Sequence, residues 1–72
     1  MTNEKAIEIL KKTDKLILYK KRRYGRKIPV NNKEEAVELY LKCEDGAIMV
    51  YEDCVEIWDY NEIDWLSWFG VS

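Results

Sequence analysis

The sequence predicts a small α+β domain with the element order αββ–αββ, in which helices cover one face of a four-stranded antiparallel sheet. The chain has 72 residues, a length that forms one domain, and 47% of them are hydrophobic, as in a globular protein. Its apolar residues also change twice from helical spacing to strand spacing. We therefore expect a single domain over residues 1–72, with a short C-terminal helix at residues 61–69.

A short internal similarity divides the chain into two units, residues 2–30 and residues 32–60. Residues 4–9 match residues 34–39 at an offset of 30, in both charged and apolar positions. A similarity at a fixed offset indicates a repeated structural unit, although chance similarity is an alternative for a match this short. If the units are repeats, a pseudo-twofold axis should relate them.

The first helix is predicted over residues 4–12. On a helix, Ala6, Ile7 and Leu10 lie on one side and form an apolar face. Asn3 stands at the position of an N-cap, where its side chain can accept a hydrogen bond from an unpaired N–H of the first turn. We expect the apolar face to pack against the sheet.

The second helix is predicted over residues 33–44, from a more ambiguous pattern. Residues 36–43 fit both the alternation of a strand and the spacing of a helix. Asn32 can act as an N-cap, two glutamates follow in the first turn, and Gly46 can end the helix. These signals favour the helix over the strand.

Four strands are predicted, because each helix is followed by an apolar run, a polar break and a shorter run. They cover residues 15–20, 27–30, 47–52 and 55–60. The first and third strands are continuously apolar and should be central, which gives the spatial order two, one, three, four. Pro29 confines its strand to an edge, whereas the alternative, a circularly permuted ferredoxin-like order, makes that strand central. The predicted core of the sheet is Leu16, Leu18, Ile48 and Val50.

Charge is divided unevenly along the chain. Residues 1–30 contain ten Lys or Arg and three Asp or Glu, a net charge of +7, whereas residues 31–72 contain two and eleven, a net charge of −9. Such a division favours either a basic surface that meets phosphate with an acidic surface that meets a basic partner, or two surfaces of this chain that complement each other. For most of the acidic residues, ordinary solvated positions at turns and helix ends are the preferred interpretation.

A basic hairpin is the first candidate site. Six of the eight residues from 20 to 27 are Lys or Arg, and they surround a predicted turn. Arginines can fork onto phosphates and a tyrosine can stack on a base, so we expect nucleic-acid binding there. The alternative is a solvated turn whose charges protect an edge strand from aggregation. The predicted nucleic-acid-binding residues are Lys20, Lys21, Arg22, Arg23, Tyr24, Arg26 and Lys27.

An aromatic surface near the C-terminus is the second candidate site. On the predicted C-terminal helix, Trp65, Trp68 and Phe69 share one side, while other apolar residues point elsewhere. They either close the core over the sheet or, together with Trp58, form an interface with a partner or with a second copy. Because one sheet cannot cover a helix that is apolar on several sides, we favour a homodimer.

The sequence offers little for catalysis or for metal binding. It has no histidine, and Cys43 and Cys54 are not at a metal-ligand or redox spacing. Residues 59–64 begin like a calcium loop, but Ile63 occupies a ligand position and Asp64 replaces the required glycine. We expect no enzymatic activity, no metal and no cofactor.

No apolar run approaches the length of about 20 residues that a membrane span needs, and no signal-peptide pattern begins the chain. We expect a soluble, cytoplasmic protein. Two classes of function follow from the candidate sites. The first is a small binding protein whose basic hairpin engages nucleic acid or a nucleoprotein. The alternative is a small inhibitor or adaptor, of the phage or plasmid type, that binds a host protein through its aromatic and acidic surfaces.

Overall fold

This computed structural model describes residues 2–21 and 26–60, along which each of two helices is followed by two strands. Within these residues the chain forms a mixed α+β fold with two helices and one open four-stranded sheet. The helices are α1 (Asn3–Lys12) and α2 (Lys33–Lys42). The strands are β1 (Leu16–Lys21), β2 (Ile28–Pro29), β3 (Gly46–Val50) and β4 (Cys54–Asp59). The helix predicted at residues 61–69 lies outside the described residues.

Side-chain caps fix where both helices begin. The Asn32 side chain accepts a hydrogen bond from the backbone N–H of Glu35 at 2.7 Å, which confirms the predicted cap of α2. The predicted cap of α1 is wrong by one residue. Thr2 has the extended backbone of a cap and accepts from the N–H of Lys5 at 3.3 Å, whereas Asn3 is already helical.

The ambiguous segment in the second half is helical, as predicted. Ala36 and Tyr40, four residues apart, are both buried and point into the core. The Tyr40 hydroxyl donates a hydrogen bond to Asn3 Oδ1 at 3.0 Å and so joins the two helices. The helix ends at Cys43, not at a glycine, because Gly46 is the first residue of β3.

The spatial order of the sheet is β2-β1-β4-β3. Pro29 lies on the edge strand β2, as predicted. The prediction of an entirely antiparallel sheet with β3 in the centre is wrong, because the central pair is β1 and β4, and these two strands run parallel. A twofold axis normal to the sheet would make the central strands antiparallel, so the predicted pseudo-twofold relation is also wrong.

Polar partners explain why β4 rather than β3 is central. The carboxylate of Asp59 accepts a hydrogen bond from the Tyr19 hydroxyl on β1 at 2.8 Å. On the opposite face of β4, Glu56 forms a salt bridge with Lys27, which lies beyond β1 at the start of β2. Neither contact could form with β3 between β1 and β4, whereas an apolar β3 loses only part of its burial at the edge.

The core lies between the helices and one face of the sheet. Ile48 is buried as predicted, but Leu16 and Val50 are 55% and 54% exposed, and Leu18 is half-buried. On β1 it is Ile17 that points toward the helices, because alternate residues of a strand face opposite sides. The buried cluster comprises Ala6, Leu10, Ile17, Val30, Ala36, Tyr40, Ile48, Val55 and Ile57.

Candidate functional site

The outer face of the sheet, which points away from the buried cluster, carries an unusual group of side chains. On β4, Val55 and Ile57 enter the core, so Glu56 and Trp58, which alternate with them, project from the outer face. In the β1–β4 register, Lys20 is opposite Trp58. We call the following set the platform: Lys20, Lys27, Glu56, Trp58 and Tyr60.

Glu56 is the buried anchor of the platform. Only 1% of its surface is exposed, yet its Oε2 lies 2.7 Å from Lys27 Nζ and its Oε1 accepts a hydrogen bond from Trp58 Nε1 at 2.7 Å. Burial alone raises the pKa of Glu56. The ion pair with Lys27, the hydrogen bond from Trp58 and the positive charge of Lys20 together outweigh burial and hold that pKa below its usual value. Glu56 is therefore ionised, and its carboxylate contacts both Lys27 and Trp58.

Trp58 is positioned by three neighbours. The Trp58 indole donates a hydrogen bond to Glu56. Lys20 Nζ also lies 4.2 Å from the centroid of the indole ring and forms a cation–π contact with it. The indole also stacks on Tyr60, with the ring centroids 5.6 Å apart and the planes inclined by 28°. The platform therefore presents two stacked rings beside an ammonium group.

The basic hairpin supplies the two cations of the platform. Lys27 is exposed, and Lys20 is half-buried against Trp58. Lys21 is exposed too, but it alternates with Lys20 along β1 and so points to the side of the helices. The bond to Glu56 raises the pKa of Lys27, which keeps this side chain charged. Three other predicted members of the site lie outside the described residues: Arg22, Arg23 and Tyr24.

The structure brings together residues that the sequence assigned to two different sites. Lys20 and Lys27 were predicted in the nucleic-acid site and Trp58 in an aromatic interface, but all three meet on the platform. Glu56 and Tyr60 were assigned to no site. The alternation of residues 55–60 places Glu56 and Tyr60 on the same face as Trp58, and this pattern in the sequence could have assigned them to the site. The predicted interface residues outside the described part of the chain are Trp65, Trp68 and Phe69.

The two cysteines are unpaired thiols. Burial raises the pKa of Cys43 to about 11, and its thiol donates a hydrogen bond to the Leu39 carbonyl at 3.1 Å. Burial, followed by the nearby Asp53 carboxylate, also raises the pKa of Cys54. Both thiols are therefore poor nucleophiles near neutral pH.

Comparison with known proteins leaves the platform to be interpreted from its own chemistry. No protein-family model, curated protein or solved structure matches the chain. Over residues 2–21 and 26–60, no three Cys, Asp or Glu side chains come together as a metal site would require. In the same part of the chain, neither helix is long and apolar enough to cross a membrane.

Proposed function

We propose that this chain binds nucleic acid through the platform and the basic hairpin. The observation that carries the proposal is the meeting of Lys20 and Lys27 with the stacked rings of Trp58 and Tyr60 on one sheet face. Cations recognise phosphate and aromatic rings stack on bases, so this combination is typical of single-strand-binding surfaces.

Phosphate would be held by the exposed cations of the hairpin. Lys27 uses one of the donors on its ammonium for Glu56, and an ammonium has three, so it can bind a phosphate oxygen while it remains paired. Arg26, the residue before Lys27, is also exposed and adds a positive charge at this end of the sheet. On the platform, two positive side chains, Lys20 and Lys27, act on the single carboxylate of Glu56.

Bases would be recognised by stacking. A phosphate that draws Lys20 away from the indole uncovers Trp58, whose orientation is still fixed by its bond to Glu56. Tyr60, the residue after β4, stacks on Trp58 and so enlarges the aromatic surface. Because a duplex hides the faces of its bases, we expect single strands to bind more tightly than duplexes of the same length.

The alternative function, a small inhibitor or adaptor that binds a host protein, has a different basis. Its aromatic surface depends mainly on Trp65, Trp68 and Phe69, so it stays a prediction for residues outside the described part of the chain. The homodimer and a nucleoprotein partner also stay predictions. The platform favours nucleic acid because its rings are accompanied by cations.

The test is fluorescence anisotropy with labelled single-stranded and duplex oligonucleotides, each titrated at several salt concentrations. If three to five phosphates are contacted, a plot of log affinity against log salt for single strands should have a slope of about −2 to −3.5. Replacing Arg22, Arg23 and Arg26 together by alanine should flatten that slope by about 2 and leave the melting temperature almost unchanged.

A charge-matched control distinguishes a local site from general attraction to a basic protein. The control replaces Lys5, Lys11 and Lys42, which are exposed on the helices, by alanine. It removes the same charge, and we expect it to leave the salt slope unchanged. Tyr60→Leu should weaken binding to single strands about tenfold through lost stacking, with no change in slope. Absence of binding at about 20 mM salt to either form would refute the proposal.

A further inference from the structure

The outer edge of β3 forms a second, separate surface. We infer that this edge binds an extended segment of a protein partner, as an added strand, and that the segment carries basic residues on both sides of a short apolar stretch. The inference does not depend on nucleic-acid binding, since Lys20 on β1 and Lys27 before β2 lie on the other side of β4 from this edge.

Backbone geometry leaves three residues of β3 facing outward. The N–H of Tyr51 donates to the Cys54 carbonyl, and the N–H of Tyr60 donates to the Asp45 carbonyl, so residues 45 and 51 are hydrogen-bonded to the β4 side. In an antiparallel pair such residues alternate with residues whose backbone groups point away. The even-numbered residues of β3 therefore direct their N–H and C=O groups to the outer edge: Gly46, Ile48 and Val50.

Within residues 2–21 and 26–60, the edge lacks the usual protection against strand addition. β2, at the other edge, has two residues and contains Pro29, which cannot donate to an incoming strand. β3 has five residues and contains neither proline nor a charged residue. Val50 and Tyr51, at its end, are 54% and 43% exposed. Among the described residues no strand pairs with this edge.

Charge identifies the kind of strand that fits. Two acidic pairs flank β3, Glu44 with Asp45 before it and Glu52 with Asp53 after it, and all four are exposed. A second copy of β3 would bring acids against acids in either a parallel or an antiparallel pairing, which is unfavourable. A strand with Lys or Arg at both ends would meet opposite charge in both directions, so a basic partner is the occupant we expect.

The test uses a synthetic nine-residue peptide with alternating valine and threonine between two pairs of lysines. Before peptide is added, hydrogen exchange followed by NMR should be fast at the amides of Ile48 and Val50 and slow at those of Ala47 and Met49. Saturating peptide should slow the two outward amides at least tenfold. A peptide of the same core between two pairs of glutamates should bind at least tenfold more weakly.

Two outcomes would overturn the inference. Slow exchange at Ile48 and Val50 without peptide would show that the edge is already occupied, by the chain itself or by a second copy. Sedimentation identifies the second copy as the occupant if the mass doubles with concentration. Equal binding of the two peptides would remove the role of the acidic pairs.

Variants locate the binding to the edge. Val50→Pro removes an outward N–H without removing a hydrogen bond to β4, and it should abolish peptide binding. Val50→Thr keeps that N–H and should bind like the wild type. If the proline variant does not fold, Glu44→Gln with Glu52→Gln still tests the site, with an expected loss of about 3- to 10-fold. The alanine variant of Arg22, Arg23 and Arg26 should bind the peptide normally, which separates this site from the nucleic-acid site.

Discussion

The two halves of the molecule have the same element order and use it differently. In the first half, the first strand after the helix, β1, lies in the centre of the sheet, whereas in the second half the second strand, β4, does so. β3 contains no charged residue and lies at the edge, whereas β4 contains Glu56 and Asp59 and is central, with both side chains buried. A strand's place in this sheet therefore follows the partners of its polar side chains more closely than its apolar content.

The largest expected effect compares the central strand with the edge strand of the second half. Ile57 is fully buried on β4, so Ile57→Ala should lower the free energy of unfolding by about 2–5 kcal/mol. Val50 is half exposed on β3, so Val50→Ala should lower it by less than about 0.5 kcal/mol. Urea unfolding of both variants measures the difference. Equal losses would mean that β3 is as enclosed as β4.

A smaller effect is expected at the contact that joins the halves. Glu56→Gln keeps an acceptor for Trp58 but removes the charge that pairs with Lys27, and it should cost about 1–3 kcal/mol of unfolding free energy. Thermal melting near neutral pH measures this loss. Glu52→Gln, at an exposed position, is the control and should have almost no effect.

The same pair of proteins tests the sign of the pH dependence. The pKa of Glu56 is lowered by folding, so its contribution to stability is complete above the ordinary value of 4.5 and is lost as the pH falls through the lower, folded value. Between about pH 6 and about pH 3 the wild type should therefore lose more stability than Glu56→Gln. Parallel curves for the two proteins would contradict an ionised Glu56 in the folded state.

The smallest effect is expected on α1. Lys12 Nζ lies 3.1 Å from Glu8 Oε1, one helical turn away, and both side chains are mostly exposed. Glu8→Gln should therefore cost no more than about 0.5 kcal/mol, and added salt should remove most of that loss. A loss of more than about 1 kcal/mol would show that α1 depends on this pair more than on its buried face.

Local signals in the sequence predicted the elements well. The cap at Asn32 and the acidic first turn identified α2, and Pro29 identified an edge strand. These features act over a few residues, so the sequence contains the whole of their physical cause. The pairing of β1 with β4 depends instead on partners far apart in the chain, and no local pattern contains that information.

The candidate site was predictable in part for the same reason. The cations of the hairpin and the shared face of Glu56, Trp58 and Tyr60 follow from composition and from alternation. The salt bridge of Lys27 with Glu56 does not, because it requires β4 to lie next to β1. The predicted order, with β3 between β1 and β4, therefore kept Lys27 and Glu56 apart, whereas the observed order brings them into contact.

The parallel pairing at the centre of the sheet has a consequence for how the chain folds. Tyr19 and Asp59, which hydrogen-bond across β1 and β4, are 40 positions apart in the sequence. Ribosomes add about 5–20 residues per second, so β4 is synthesised several seconds after β1. Ile17 lacks its β4 neighbours throughout that interval. We expect folding to begin only after β4 has been synthesised and to be comparatively slow for the size of the domain, because the central ladder closes the longest loop in the sheet.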